Sequence, residues 1–162
     1  MRQAMDYFLD TEFNSFGGEL ISLALVREDD KSIYLIYPEL ESYDPWVADN
    51  IIPILRNVPS TITYLETKQQ AAYLLQEFFL GDDRPRIITD WPDDIRYFCA
   101  ELITKPGQMI NVPNINFSML RVNAYPTLVQ GAIQHNAWWD AVALKELVNQ
   151  HRHAESGLRN RG

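Results

Sequence analysis

Two acids near the start of the chain, Asp10 and Glu12, stand two positions apart at the end of the apolar run Tyr7-Phe8-Leu9. An extended strand turns alternate side chains to opposite faces, so both carboxylates point the same way. Anions held so close repel one another unless a cation lies between them, and carboxylate oxygen is what hard ions such as Mg2+ prefer. Taken alone, the pair reads equally well as a solvated strand end. A further acid, Asp94, lies one residue before an apolar stripe in a helix that the spacing predicts from Pro92, where it can aim at a sheet edge. Acids at that point also suit the positive end of a helix dipole, and Asp90 and Asp93 share the position, with Asp90 the rival for a metal role. The last piece is His135-Asn136-Ala137-Trp138-Trp139-Asp140: a histidine ahead of a helix cap and an aspartate about one turn inside. The ordinary pKa of histidine lies near neutrality, so a neutral imidazole there can take the proton of an attacking water. The plainer reading is a loop histidine beside a surface acid.

The elements that must bring these groups together are legible from hydrophobic spacing. The run from Tyr7 reads as a buried strand ending near Asp10, broken soon after by Gly17-Gly18; residues 19–26 and 32–37 read as two more strands around the polar turn Asp29-Asp30-Lys31. Together they predict a meander. From Pro45, capped by Asp44, the positions Trp46, Val47, Ile51, Ile52 and Leu55 recur at helical intervals, and a second helix is predicted over 68–79. Residues 86–89 follow as a strand. In the helix from Pro92, the residues Ile95, Phe98, Cys99, Leu102 and Ile103 form one stripe that ends by Pro106-Gly107. Residues 108–131, interrupted by Pro113, Asn114, Asn116 and Pro126, read mostly as loop. A last helix, capped by Asn136, turns Ala141, Leu144, Leu147 and Val148 inward as far as about Gln150. Strands followed by alternating helix and strand predict an α/β domain over residues 1–150, a mixed sheet flanked by helices, with a polar, frayed tail over 151–162.

Composition bounds the function. At 162 residues with 46% hydrophobic side chains, the chain buries enough apolar surface for one domain and falls short of two. There is no run of eighteen apolar residues and no apolar leader after Met1, so the expectation is a cytoplasmic protein that does not enter a membrane. Cys99, the one cysteine, has no partner for an internal disulfide or a thiolate zinc site and is read as a core residue. A net charge of −8 argues against binding nucleic acid by general phosphate attraction, although cations held by carboxylates reverse the local sign. A phosphate loop of the Walker type is absent.

The acids and the histidine fall in an order that resembles a known family. Tyr7-Phe8-Leu9-Asp10-Thr11-Glu12-Phe13 is similar to the first motif of the DEDDh 3′-to-5′ exonucleases, a branch of the ribonuclease H-like superfamily; Asp94 stands at the second-motif aspartate and His135 to Asp140 at the third. The resemblance spans residues 7–148 and is strongest to compact bacterial and phage exoribonuclease-like domains with a Asp10-Thr11-Glu12-Phe13 opening. Where the family often has Asn four residues before the second-motif aspartate, this chain has Asp90, which keeps Asp90 open beside Asp94.

The resemblance implies a ribonuclease H-like fold in which Asp10, Glu12, Asp94 and Asp140 hold two Mg2+ or Mn2+ ions, roughly 3.5–4 Å apart in two-metal chemistry of this kind. His135 would be the general base, and nucleoside 5′-monophosphates would leave from the 3′ end of a single-stranded nucleic acid, with RNA favoured over DNA. Phe13 and Asn14 would contact the terminal nucleotide, with Phe16, Trp91, Trp138 and Trp139 as further aromatic candidates. Small relatives commonly dimerise, so a homodimer is expected as one arrangement. The competing readings are a binding module of the same fold without catalysis, an exodeoxyribonuclease acting on single strands, and a phosphohydrolase of small nucleotides. Cleavage of a labelled oligomer, and of nucleotides beside it, separates them.

Overall fold

Alternation and apolarity organise the first half of the chain. The computed structural model describes residues 4–112, 114–122 and 129–161. In β1 (Asp6–Phe13), Tyr7 and Leu9 belong to one core cluster and Phe8 to another, and all three are fully buried, so the strand is covered on both faces. β2 (Leu20–Arg27) pairs antiparallel with β1, and β3 (Ser32–Ile36) antiparallel with β2, which is the expected meander. β5 (Arg86–Thr89) adds in parallel to the other side of β1, β8 (Asn116–Met119) adds in parallel to β5, and the short β4 (Thr63–Tyr64) closes the far edge against β3. The order is β4-β3-β2-β1-β5-β8. The chain is therefore α/β with a mixed sheet flanked by helices.

Two helical layers cover the sheet. α2 (Gln70–Phe78) and α3 (Pro92–Glu101) place Ala71, Leu75, Phe98 and, just beyond, Leu102 against Tyr7, Leu9, Leu23 and Ile87. On the opposite face, α1 (Pro45–Asn50) contributes Val47, and α4 (Ala137–Arg159) contributes Ala137, Ala141, Leu144 and Val148, against Phe8, Ala24, Val26 and Ile88. Each fully buried Leu, Ile or Phe of these layers contributes about 1.5–3 kcal/mol through area removed from water. Among the described residues no helix is long and apolar enough to cross a membrane.

Several elements depart from the sequence expectation, each for a local reason. β1 continues past Asp10 to Phe13, because β2 keeps pairing with it until a bulge at Glu12 and Phe13. The helix from Pro45 stops at Asn50, since Pro53 lacks the N–H that would continue it, and a 3-10 turn, Ile52–Ile54, follows. α3 ends at Glu101, not at Pro106-Gly107; Ile103 is 58% exposed and starts a hairpin of β6 (Ile103–Lys105) and β7 (Gln108–Met109), turned by Gly107 at φ 75°. Cys99 is half-buried. The stretch read as loop contains β7, held by its hairpin with β6, and β8, whose strand character comes from pairing with the distant β5; Pro113 and Pro126 lie outside the described residues. α4 runs to Arg159 and replaces the frayed tail, with Arg152 donating to Asp6 at 2.7 Å and Ser156 Oγ to the Arg152 carbonyl.

Candidate metal centre

Strand alternation sets the first two acids. Asp10 and Glu12 share the face of β1 that carries Phe8, while Thr11 between them turns to the other face. The bulge that follows Glu12 increases local twist at the point where the strand leaves the sheet. Beyond it the chain doubles back within a few residues, and Gly18 is required there: a Cβ at that position would lie 1.7 Å from the Asn14 carbonyl oxygen.

Asp94 arrives from the opposite layer. It occupies the first turn of α3, whose opening Pro92 sets the helix start without wasting an N–H. One of its oxygens accepts from Thr11 N at 3.2 Å and Thr11 Oγ1 at 2.7 Å, and the other accepts from Thr89 Oγ1 at 2.8 Å. Hydrogen bonds from β1 and β5 thus lock the carboxylate at the junction of the two parallel strands. Asp94 is 2% exposed, deeper than its expected place between core and solvent. Asp90 stands at the same junction, just past the end of β5.

Asp140 comes from the first turn of α4, and the cap holds that turn in place. Asn136 Oδ1 accepts from Trp139 N, while its Nδ2 donates to the Ile54 carbonyl at 3.1 Å, so one fully buried side chain ties the helix start to the 3-10 turn. The indole N–H groups of Trp138 and Trp139 donate to Ser32 Oγ and the Asn57 carbonyl, which makes both rings anchors of this helix.

The acids form two overlapping groups. Asp10, Asp90 and Asp94 bring carboxylate oxygens within 4.8 Å of one another, and so do Asp10, Glu12 and Asp140. Asp10 belongs to both. Its Oδ2 is buried without a hydrogen-bond partner among the described residues, an arrangement that costs about 1–3 kcal/mol for an ordinary polar atom and more for a charged one. Repulsion registers in the acidities. Burial, then the charges of Asp94, Asp140, Glu12 and Asp90, pushes Asp10 well above the usual carboxylate range. Burial, then the charges of Asp140 and Asp94, do the same to Glu12. Burial raises Asp94 to about 7 against the bonds from Thr11 and Thr89; burial and Asp90 raise Asp140 to about 7 against the His135 backbone N–H. A divalent cation held there would lessen these penalties, since it would partner the orphaned oxygen and favour the ionised form of the acids around it.

The remaining predicted residues sit at the rim. His135 is exposed, lies outside both acidic groups, and packs edge-on to Trp46 with centroids 5.0 Å apart. Its backbone adopts a left-handed φ of 63°, and its N–H bonds Asp140. Phe13 stacks on Tyr97. The Asn14 side chain is committed to the chain itself: Oδ1 accepts from Asp44 N at 2.7 Å, and Nδ2 donates to the Ser42 carbonyl. It braces the approach to α1 and Trp46. Asp93 bonds Trp91 and Arg96 and lies outside both acidic groups. Sequence reasoning missed Thr11 and Thr89 as the clamps on Asp94, and it set Asp90 against Asp94 where the fold brings both to Asp10. No protein-family model matches the chain, and no curated protein matches its sequence.

Proposed function

We propose that this chain is a metal-dependent 3′-to-5′ exonuclease of the DEDDh type with a ribonuclease H-like fold, acting on single-stranded nucleic acid and favouring RNA. One observation carries the reading: two groups of acids share Asp10, whose Oδ2 has no hydrogen-bond partner among the described residues. A single structural cation would need one such group, whereas hydrolysis of a phosphodiester by two divalent ions needs a pair with a common ligand. The mixed sheet flanked by helices accords with the fold that the motif order implies.

Asp10, Glu12, Asp94, Asp140 and Asp90 would hold Mg2+ or Mn2+. When bound, these ions supply charge stabilisation for the phosphoryl oxygens and a more acidic water. The chain's own residues do the rest. Thr11 and Thr89 hold the Asp94 carboxylate, so it need not reorganise when the substrate arrives. His135, in contact with solvent and tied by its backbone to Asp140, accepts the proton of the attacking water at an imidazole nitrogen. A non-glycine residue with positive φ costs on the order of 1–3 kcal/mol, and such strain concentrates at functional sites. Phe13 flanks the terminal nucleotide through its ring, and Asn14 acts by shaping the loop.

The test is digestion of a 5′-labelled single-stranded oligonucleotide, RNA and DNA in parallel, with Mg2+ or Mn2+. A ladder shortening from the 3′ end and abolished by EDTA is expected. Labelled substrate that stays intact at every cation concentration would reject the reading, and hydrolysis of mononucleotides alone would replace it by a small-nucleotide phosphohydrolase.

A further inference from the structure

Aromatic rings and guanidinium groups, all but Phe13 unused by the proposed chemistry, line the same end of the sheet. Phe13, the residue after Glu12, stacks on Tyr97 with centroids 4.6 Å apart and planes inclined by 23°. Arg96 lies over Tyr97 at 5.0 Å and pairs with Asp93 at 2.9 Å; Asp93 in turn accepts the indole N–H of Trp91 at 3.0 Å. Arg121 lies over the Trp91 ring at 5.2 Å. The line therefore begins one residue after Glu12 and ends on the residue after Asp90, both of them members of the acidic groups.

Its position follows from the topology. β1, β5 and β8 are parallel, and Arg121 comes just after β8, where Leu120 N still bonds the Thr89 carbonyl at 2.8 Å. Carboxyl ends of parallel strands are where crevices form in open α/β sheets. Trp91 is 48% exposed although it opens a helix whose inner face is well packed. Its ring edge is fixed by Asp93 and its face by Arg121, so an exposed surface is held in one orientation.

We propose that Trp91 and Arg121, continued by Phe13, Tyr97 and Arg96, form a track for the nucleotides on the 5′ side of the one being cleaved, in a single strand of nucleic acid. The ligand class rests on the nuclease reading of the adjoining acids. A guanidinium lying on an indole keeps the N–H groups of its edge for phosphate, and both planes offer surfaces on which unpaired bases stack. In a duplex the bases cover one another, so only a single strand supplies the faces that this arrangement fits. Placed beside a dense cluster of acids, two guanidinium groups also give a polyanion a local foothold on a chain of net charge −8.

The experiment compares kcat/KM for a dinucleotide with that for an oligomer about ten nucleotides long, as RNA and as DNA, with Mn2+, in wild type, Trp91→Ala, Arg121→Ala and Trp91→Tyr. Wild type prefers the longer oligomer, and each alanine variant loses roughly five- to a hundred-fold of that preference, the range for removing one base–ring stack. Trp91→Tyr recovers most of it. A fall of equal size on both lengths, or no fall, overturns the track while hydrolysis itself upholds the nuclease reading. Binding of the same labelled oligomer, followed by fluorescence anisotropy with Ca2+, separates the two ideas. Absent hydrolysis with Trp91-dependent and Arg121-dependent binding rejects the nuclease and upholds the track; binding that both variants retain rejects the track.

Discussion

Removing cations should make this protein less stable as the pH rises, opposite to the usual behaviour of a chain rich in buried, paired carboxylates. Burial places Asp94 at about 7 against 3.8 for the free side chain. Between those values the folded chain keeps a proton that the unfolded chain has released, so the stabilisation is complete below pH 4 or so and is lost as the pH climbs through 7. Three pH units correspond to about 4 kcal/mol for one such group at 1.36 kcal/mol per unit. Asp140 is raised to about 7 as well. The two acids share neighbours and titrate jointly, so the total lies between one and two such contributions. For a chain of this size 4 kcal/mol moves the midpoint of thermal unfolding by on the order of 10 °C. Asp6 works the other way: burial pushes it up, but the Arg86 and Arg152 guanidinium groups together hold it below the usual range, and its effect falls in the acid limb under pH 4.

Thermal or urea unfolding from pH 4.5 to 8, once with EDTA and once with Mn2+, reads this directly. With EDTA the stability should fall steadily across the range. Cation at about a hundred times its Kd should restore roughly 2.7 kcal/mol at pH 8 and far less at pH 5, where protons occupy the ligands. Glu101, also raised by burial, adds to the slope in EDTA, but it stands at the other end of α3, and no cation in the centre can cancel its share. The difference between the two curves therefore isolates the acidic centre. Curves that run parallel at every pH would refute the account, as would stability in EDTA that climbs from pH 5 to 8.

Three further outcomes test single groups. His135→Ala should lower kcat by roughly a hundred- to ten-thousand-fold in the oligonucleotide assay while leaving the Mn2+-induced rise in unfolding midpoint in place, because the imidazole lies outside both acidic groups. Thr11→Val removes the 2.7 Å bond to Asp94 at a buried position; it should cost about 1–3 kcal/mol in urea unfolding and weaken Mn2+ binding, measured by calorimetry, by loosening one ligand. Asn136→Ala deletes a helix cap and a tie to the Ile54 carbonyl at once, so a loss near 2 kcal/mol and a drop in turnover through misplacement of Asp140 are expected in the same two assays.

Much of what depended on local periodicity was legible from the sequence, although the helical spacing ran past the true ends of α1 and α3. The meander, the strand 86–89, the three-layer α/β arrangement and the common face of Asp10 and Glu12 all follow from patterns a few residues long. Contacts that close over long separations were not. Thr11 and Asp94 are 83 positions apart, and nothing in the spelling of either segment marks a hydroxyl turned away from the acids as the clamp on a distant carboxylate. β8 is written with Asn116 and Ser118 and looks like loop because its edge position demands little apolarity; its strand geometry is imposed by β5. α4 outruns its apolar stripe because the pair between Arg152 and Asp6, together with good helix formers such as Ala154 and Glu155, keeps the exposed turns wound.

Asp90 shows why the two aspartates competed on paper but do not in space. Asp90 directly follows the last residue of β5, and Asp94 lies in the first turn of α3, so the single turn between them folds the chain back on itself. A residue one helical turn into α3 returns to the height of the strand end, where both carboxylates meet Asp10. Sequence spacing alone poses this as a choice of one or the other, since it does not say where the helix axis points. The clamp from Thr89 fixes that direction: its hydroxyl, on the residue before Asp90, bonds Asp94 from beneath. Replacing Asp90 by Asn should therefore weaken Mn2+ binding in calorimetry without unseating Asp94, whereas replacing Thr89 by Val should disturb Asp94 and leave Asp90 in place.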